Sequence, residues 1–126
     1  MARINSFRDL QVWQLAMELV LECYQLTGRL PAEERFGLIA QARRCAVSIP
    51  SNIAEGHNRH ARNVFLQHVN IALGSAAELD TQIEIGVRLG YLTSADAGAF
   101  IQKLGRIGQM LRRLQQSLAS ASPPKA

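Results

Sequence analysis

The sequence predicts an all-α fold, an antiparallel up-down four-helix bundle whose second helix is kinked at Pro50. Two features of patterning predict it: apolar residues recur at alternating steps of three and four along four stretches, and no stretch alternates with the period of a strand. The connections between the four stretches are short, which favours antiparallel neighbours. The 126 residues are 48% hydrophobic and only 6% aromatic, the composition of one domain with an aliphatic core. That domain spans 1–126, ordered over about 7–119, with a frayed tail from Ser120 to Ala126.

The first helix follows Ser6, which forms a capping box with Asp9, and its seam is Leu10, Trp13, Met17, Val20 and Tyr24. It ends near Gly28 or Arg29. Leu30-Pro31 opens the second helix, where Pro31 occupies a position that tolerates a missing donor and Glu33 and Glu34 favour the positive end of the helix dipole. This helix runs roughly from Ala32 to Glu55 on a stripe of Leu38, Ala42, Cys45, Ile49 and Ile53, and Gly56 closes it. Phe65, Val69, Ala72, Ala76, Leu79, Ile83 and Val87 mark the third helix, closed by Gly90. Thr93 caps the fourth, with Asp96 in the box position and Phe100, Leu104, Ile107, Leu111, Leu114 and Leu118 along its core face.

The second helix carries more than packing. Pro50 lacks a backbone donor and crowds the carbonyl four residues back, which bends the helix. Ser48, Asn52 and Glu55 share one flank beside the apolar stripe, so they are expected to form a mostly buried polar lock against another helix, with Ser75 as a partner. The first two helices also show second apolar stripes: Val12, Leu15, Leu19 and Leu26 on one, Phe36, Ala40, Val47 and Ala54 on the other. A monomer would leave these in water, so Val12, Leu15, Leu19, Phe36 and Val47 are the expected interface of a homo-oligomer.

Lys and Arg total 14 against 10 acids, a formal charge of +4 that leans toward phosphate-bearing partners. Arg59 and Arg62 flank the second connection, and beyond Asp96 the chain holds Lys103, Arg106, Arg112, Arg113 and Lys125 with no acid. Lys103, Arg106 and Arg113 share a helical flank, so with Arg59 and Arg62 they are the candidate nucleic-acid contacts, directed at phosphates. The start of the chain has no apolar signal region, and no stretch is long and apolar enough to span a bilayer; a cytoplasmic protein without a membrane partner is expected. Cys23 and Cys45 sit among apolar helical residues and are expected to stay reduced.

Several segments together resemble one family. They are Phe7-Arg8-Asp9-Leu10 with Val12-Trp13, Leu30-Pro31, Glu34-Arg35-Phe36-Gly37-Leu38, Gln41 with Arg43-Arg44, and the block Ser48-Ile49-Pro50-Ser51-Asn52-Ile53-Ala54-Glu55-Gly56. Ala72-Leu73-Gly74-Ser75 with Glu78-Leu79 and Leu89-Gly90-Tyr91-Leu92 complete the set. The chain is similar to the four-helix-bundle proteins encoded in intervening sequences of bacterial 23S ribosomal RNA genes, a family that includes the accessory variability protein of diversity-generating retroelements. The resemblance implies a barrel-shaped homopentamer with a basic surface. For the retroelement member it further implies binding to RNA or DNA and association with a reverse transcriptase. It carries over no catalytic residue.

The remaining chemistry is thin. His57, His60 and His68 lack an acidic or thiolate third ligand, so no metal and no cofactor are expected. Glu55 and Glu78 pressed into an apolar bundle would have raised pKa values, yet structural hydrogen bonding outweighs an acid–base role. Gly74-Ser75-Ala76-Ala77 lies inside a regular helix and reads as close packing, not as a phosphate loop. A non-enzymatic, oligomeric, nucleic-acid-binding scaffold is the leading expectation. The alternative is a protein-interaction adaptor without direct nucleic-acid binding.

Overall fold

The computed structural model describes residues 4–120. Four α-helices form it: α1 (Gln11–Thr27), α2 (Leu38–Asn58), α3 (Arg62–Arg88) and α4 (Ser94–Ser120), with short 3-10 turns at Phe7–Asp9 and Ala32–Glu34. Among the described residues α1 touches α2 and α4, and α3 touches α2 and α4, while the diagonal pairs do not meet. That is the square cross-section of a four-helix bundle. Partners run in opposite order on neighbouring helices: Asn52 meets His68, Ser48 meets Ser75 and Cys45 meets Gln82. The expected tail lies outside the described residues, apart from Ser120 at the end of α4.

The helix ends follow local chemistry. Ser6 and Asp9 form the capping box, and the backbone N–H groups of Asn5 and Ser6 both donate to the Asp9 carboxylate. Those bonds hold its pKa below the usual 3.8, that of Asn5 most of all. Thr93 Oγ1 accepts from the Asp96 N–H at 3.0 Å. Gly90, at φ 82°, closes α3 as expected. Gly56 does not close α2. The helix continues to Asn58, and His60 takes the positive φ of 55° in the connection. Gly56 is instead buried inside the helix, where a Cβ would lie 2.6 Å from the Cβ of His68. The missing side chain lets α2 and α3 approach. The second helix also starts later than expected, because Ala32–Glu34 forms a separate turn before Gly37.

Core faces on α3 and α4 match the periodic stripes, with Val69, Ala72, Ala76, Leu79 and Ile83 buried on one and Phe100, Leu104, Ile107 and Leu111 on the other. On α2 the buried set is Ala42, Ala46, Ile49, Pro50, Ile53 and Gly56, so Leu38 and Cys45 move to its margin. The α1 faces are exchanged relative to the expectation. Val12, Ala16, Leu19, Cys23 and Leu26 are buried, whereas Met17 and Tyr24 are 41% and 45% exposed. Both stripes have the same three-four spacing, so period alone does not separate them. The structure buries the one that includes the small residues Ala16 and Cys23, both fully buried.

Candidate functional site

Three features of the surface and of the helix interfaces bear on function. The first is a polar chain between α2 and α3. Asn52 Nδ2 donates to the Ser48 carbonyl at 2.8 Å and to Ser48 Oγ at 3.0 Å. Ser48 Oγ lies 2.8 Å from Ser75 Oγ, and Ser75 is buried. With its amide hydrogens so engaged, Asn52 accepts at Oδ1, which requires His68 Nδ1–H to donate across 2.9 Å. The network thus selects the His68 tautomer and turns its Nε2 toward Glu55, 3.9 Å away. Ser48, Asn52 and Ser75 are thus joined by hydrogen bonds, with Ser75 buried and Ser48 and Asn52 half-buried. Glu55 does not close the network, because its side chain is 55% exposed and paired loosely with Arg59 at 3.5 Å. The closing residue is His68, whose position sixteen residues after Asn52 no local spacing rule relates to it.

The second is the outer face of α1 and α2. Phe7, Trp13, Met17, Val20, Val47 and Ala54 line a groove of about 460 Å³. Farther along, Tyr24, Ile39 and Ala40 line a second hollow of about 430 Å³ rimmed by Arg35, Arg43 and Arg44. Val47 is 40% exposed and Phe36 86%, so both are available to a partner. Val12 and Leu19 are not, being part of the monomer's core, and Leu15 packs partly against it. The apolar side chains of α1 that stay wholly or partly accessible lie about a quarter turn away, at Trp13, Met17, Val20 and Tyr24.

The third is a basic end of the bundle. The start of α1, the α2–α3 connection and the last turns of α4 meet there, as the 2.7 Å bond from Gln115 to Asn70 and the Asn52–His68 bond require. Arg8, Arg59, Arg62, Arg112 and Arg113 lie on these segments, and Arg106 lies midway along α4. The acids there, Asp9 and Glu55, already accept from backbone N–H groups and from Arg59 respectively. At the opposite end Glu33, Glu34, Glu84 and Asp96 gather, with Arg29 bound to Asp96 at 3.0 Å and Arg88 to Glu84 at 2.9 Å. Lys103 leaves the predicted basic stripe: it bridges Glu18 and Glu22 of α1, and the Glu22 hydrogen bond above all raises its pKa.

His57 packs edge-on to Phe65 at 5.6 Å and to His60 at 6.3 Å. Among the described residues no group of three or more His, Cys, Asp or Glu is placed to hold a metal ion, and no helix is long and apolar enough to cross a membrane. Burial pushes the Cys23 thiol up to about 11, and burial also raises Cys45, with Glu78 adding to the effect.

The model of the 23S rRNA-intervening sequence protein family matches residues 8–113. The chain belongs to that family. The polar network and the predicted contacts Arg59, Arg62, Arg106 and Arg113 all fall within the family match. Among solved structures, the chain is similar to a protein of unknown function from the S23 ribosomal protein family of Bacteroides thetaiotaomicron VPI-5482. The two share 25% identity with a TM-score of 0.77, over 83% of this chain and 98% of the other. No curated protein matches the chain.

Proposed function

We propose that this family member is a non-enzymatic scaffold that self-associates through the outer face of α1 and α2 and binds nucleic acid through phosphate contacts at its basic end. The observation carrying the nucleic-acid reading is the distribution of charge along the bundle: at one end Arg8, Arg62, Arg112 and Arg113 have no carboxylate partner among the described residues, whereas at the other Arg29 and Arg88 are paired with Asp96 and Glu84. A field of that kind attracts a polyanion without reading bases, because guanidinium groups neutralise phosphates and release counterions. Arg59, Arg62, Arg106 and Arg113 remain the contacts, Arg112 joins them, and Lys103 drops out because two glutamates hold it. A ring of copies, five by family resemblance, would repeat the field around its axis and turn a weak patch into a useful one.

Anisotropy titrations of labelled RNA and DNA at increasing salt test the reading. Affinity should be indifferent to base sequence, and log affinity should fall linearly with log salt by roughly 0.7–0.9 per phosphate contacted. Arg106→Gln with Arg113→Gln should leave the assembly intact and lower both affinity and slope. A double variant that binds like the parent removes α4 from the contact surface. A parent that binds neither RNA nor DNA at low salt overturns the nucleic-acid reading and leaves a protein-interaction adaptor.

A further inference from the structure

A polar cleft of about 260 Å³ opens between α2 and α3, sharing Arg44 with the hollow on the outer face. Its α2 wall carries Gln41, Arg44, Cys45 and Ser48, and its α3 wall carries Ser75, Glu78 and Gln82. It continues the polar chain that joins the two helices through Asn52, His68, Ser48 and Ser75, and adds to it an arginine, a carboxylate and two amides.

Two features mark it as a ligand site. Arg44 and Glu78 line the same cleft without pairing: among the described residues no carboxylate lies within 4.0 Å of Arg44, and Glu78 meets only the Cys45 thiol, at 3.9 Å. In addition, Gln82 is nine-tenths buried, and while its Nε2 donates to Cys45 Sγ at 3.5 Å, its Oε1 has no partner. A buried amide oxygen normally finds a donor, from the protein, from water or from a ligand. The Ser48–Ser75 pair is already fixed by Asn52 and His68, so this part of the wall is ordered before anything binds.

We propose that the cleft binds a small zwitterion of amino-acid size. Its carboxylate is held by Arg44, whose planar fork matches that group, with the Gln41 amide beside it. Its ammonium group is held by Glu78, and its remaining hydrogens are accepted by the Ser75 hydroxyl and, once the buried Gln82 side chain turns toward the cleft, by Gln82 Oε1. The volume lies just below the roughly 300–1,000 Å³ of sites for larger ligands. No aromatic side chain lines the cleft, which leaves a nucleobase without a stacking surface. An occupant bridges α2 and α3 through opposite charges, so binding also stabilises the fold. The site does not depend on the nucleic-acid reading.

Cysteine chemistry supplies the assay. Cys23 is fully buried, whereas Cys45 is partly exposed at the cleft, so alkylation of the native protein at mildly alkaline pH reports on Cys45. The twenty free amino acids are the probes, each at about 10 mM, where a millimolar ligand slows labelling roughly tenfold. N-acetyl amino acids lack the ammonium group and amino-acid amides lack the carboxylate; neither series should protect. Arg44→Gln and Glu78→Gln should abolish protection, with circular dichroism confirming that each variant is folded. Melting temperature provides a second readout and should rise in the same order as protection. The proposal is overturned if no free amino acid both slows labelling and raises the melting temperature. It is equally overturned if the acetylated and amidated forms protect as well, or if protection survives in a folded variant.

Discussion

Replacing Gly56 by alanine sets two effects of opposite sign against each other. Alanine favours a helix interior over glycine by about 1 kcal/mol, so a free site would gain from the change. Here the added Cβ would lie 2.6 Å from the Cβ of His68 and 3.0 Å from Cδ1 of Phe65. Carbon atoms settle at about 3.5–4.0 Å, so α2 and α3 must part by roughly 1 Å. The position of the His68 Cβ is fixed by the α3 backbone, so no rotamer moves it away. A shift of that size takes the 2.9 Å Asn52–His68 bond out of hydrogen-bonding range. Overpacking costs about 1–3 kcal/mol and the lost bond about 0.5–1.5 kcal/mol, against the 1 kcal/mol gained, for a net loss near 2 kcal/mol. Urea denaturation followed by circular dichroism measures it, and the melting temperature should fall by roughly 5–10 °C. Gly74→Ala is the control: its Cβ would meet nothing within 4 Å, so it should gain about 0.5–1 kcal/mol. If Gly56→Ala is as stable as the parent, or if both variants lose equally, close helix approach is not the reason for glycine at this position.

Asn52→Ala should lower stability by about 1–3 kcal/mol, because His68 and Ser48 lose their shared partner, while Glu55→Ala should stay within about 0.5 kcal/mol of the parent; paired denaturation curves distinguish them. Met17→Glu or Val47→Glu should dissociate the assembly with helicity retained, as read by light scattering and circular dichroism, whereas Leu19→Glu should unfold the chain because its site is fully buried. Asp9 and Asp96 have folded-state pKa values below the usual 3.8, held there by the Asn5 N–H and by the Thr93 hydroxyl respectively. The stability they contribute is present above about pH 4 and lost as pH falls through the lowered values, so Asp9→Asn should flatten the acid limb of the stability–pH curve. Lys103 has the opposite sign. Its pKa is raised above 10.5, chiefly by the Glu22 hydrogen bond, so its contribution is present below 10.5 and lost as pH rises through the raised value. Lys103→Met should remove that alkaline step from the same curve.

The long third and fourth helices were the readable part of the chain, because each carries a single apolar stripe and α3 ends in a glycine with positive φ. What the sequence hid depended on contacts between helices. Lys103 looks like part of a basic flank until α1 brings two glutamates to it, more than eighty residues away in the chain. His68 looks like a stray imidazole until α3 folds back against Asn52. Gly56 has the sequence position of a helix stop, and only the approach of Phe65 and His68 gives it another role.

The exchange of faces on α1 carries more than a lesson about periodicity. Side-chain size favours Trp13, Met17, Val20 and Tyr24 as the seam, since those residues offer far more apolar area than Ala16 or Cys23. The fold nevertheless buries the smaller set, half-buries Trp13 and Val20, and leaves Met17 and Tyr24 exposed on the face that carries Val47. For an isolated monomer that choice discards stabilisation, since exposed Met17 and Tyr24 contribute little and a thinner residue would serve as well. The choice becomes favourable once a second surface covers the groove, where aromatic and methionine side chains contribute most to association. Met17 and Tyr24 are thus the residues of α1 that most favour the proposed association of α1 and α2 with another chain.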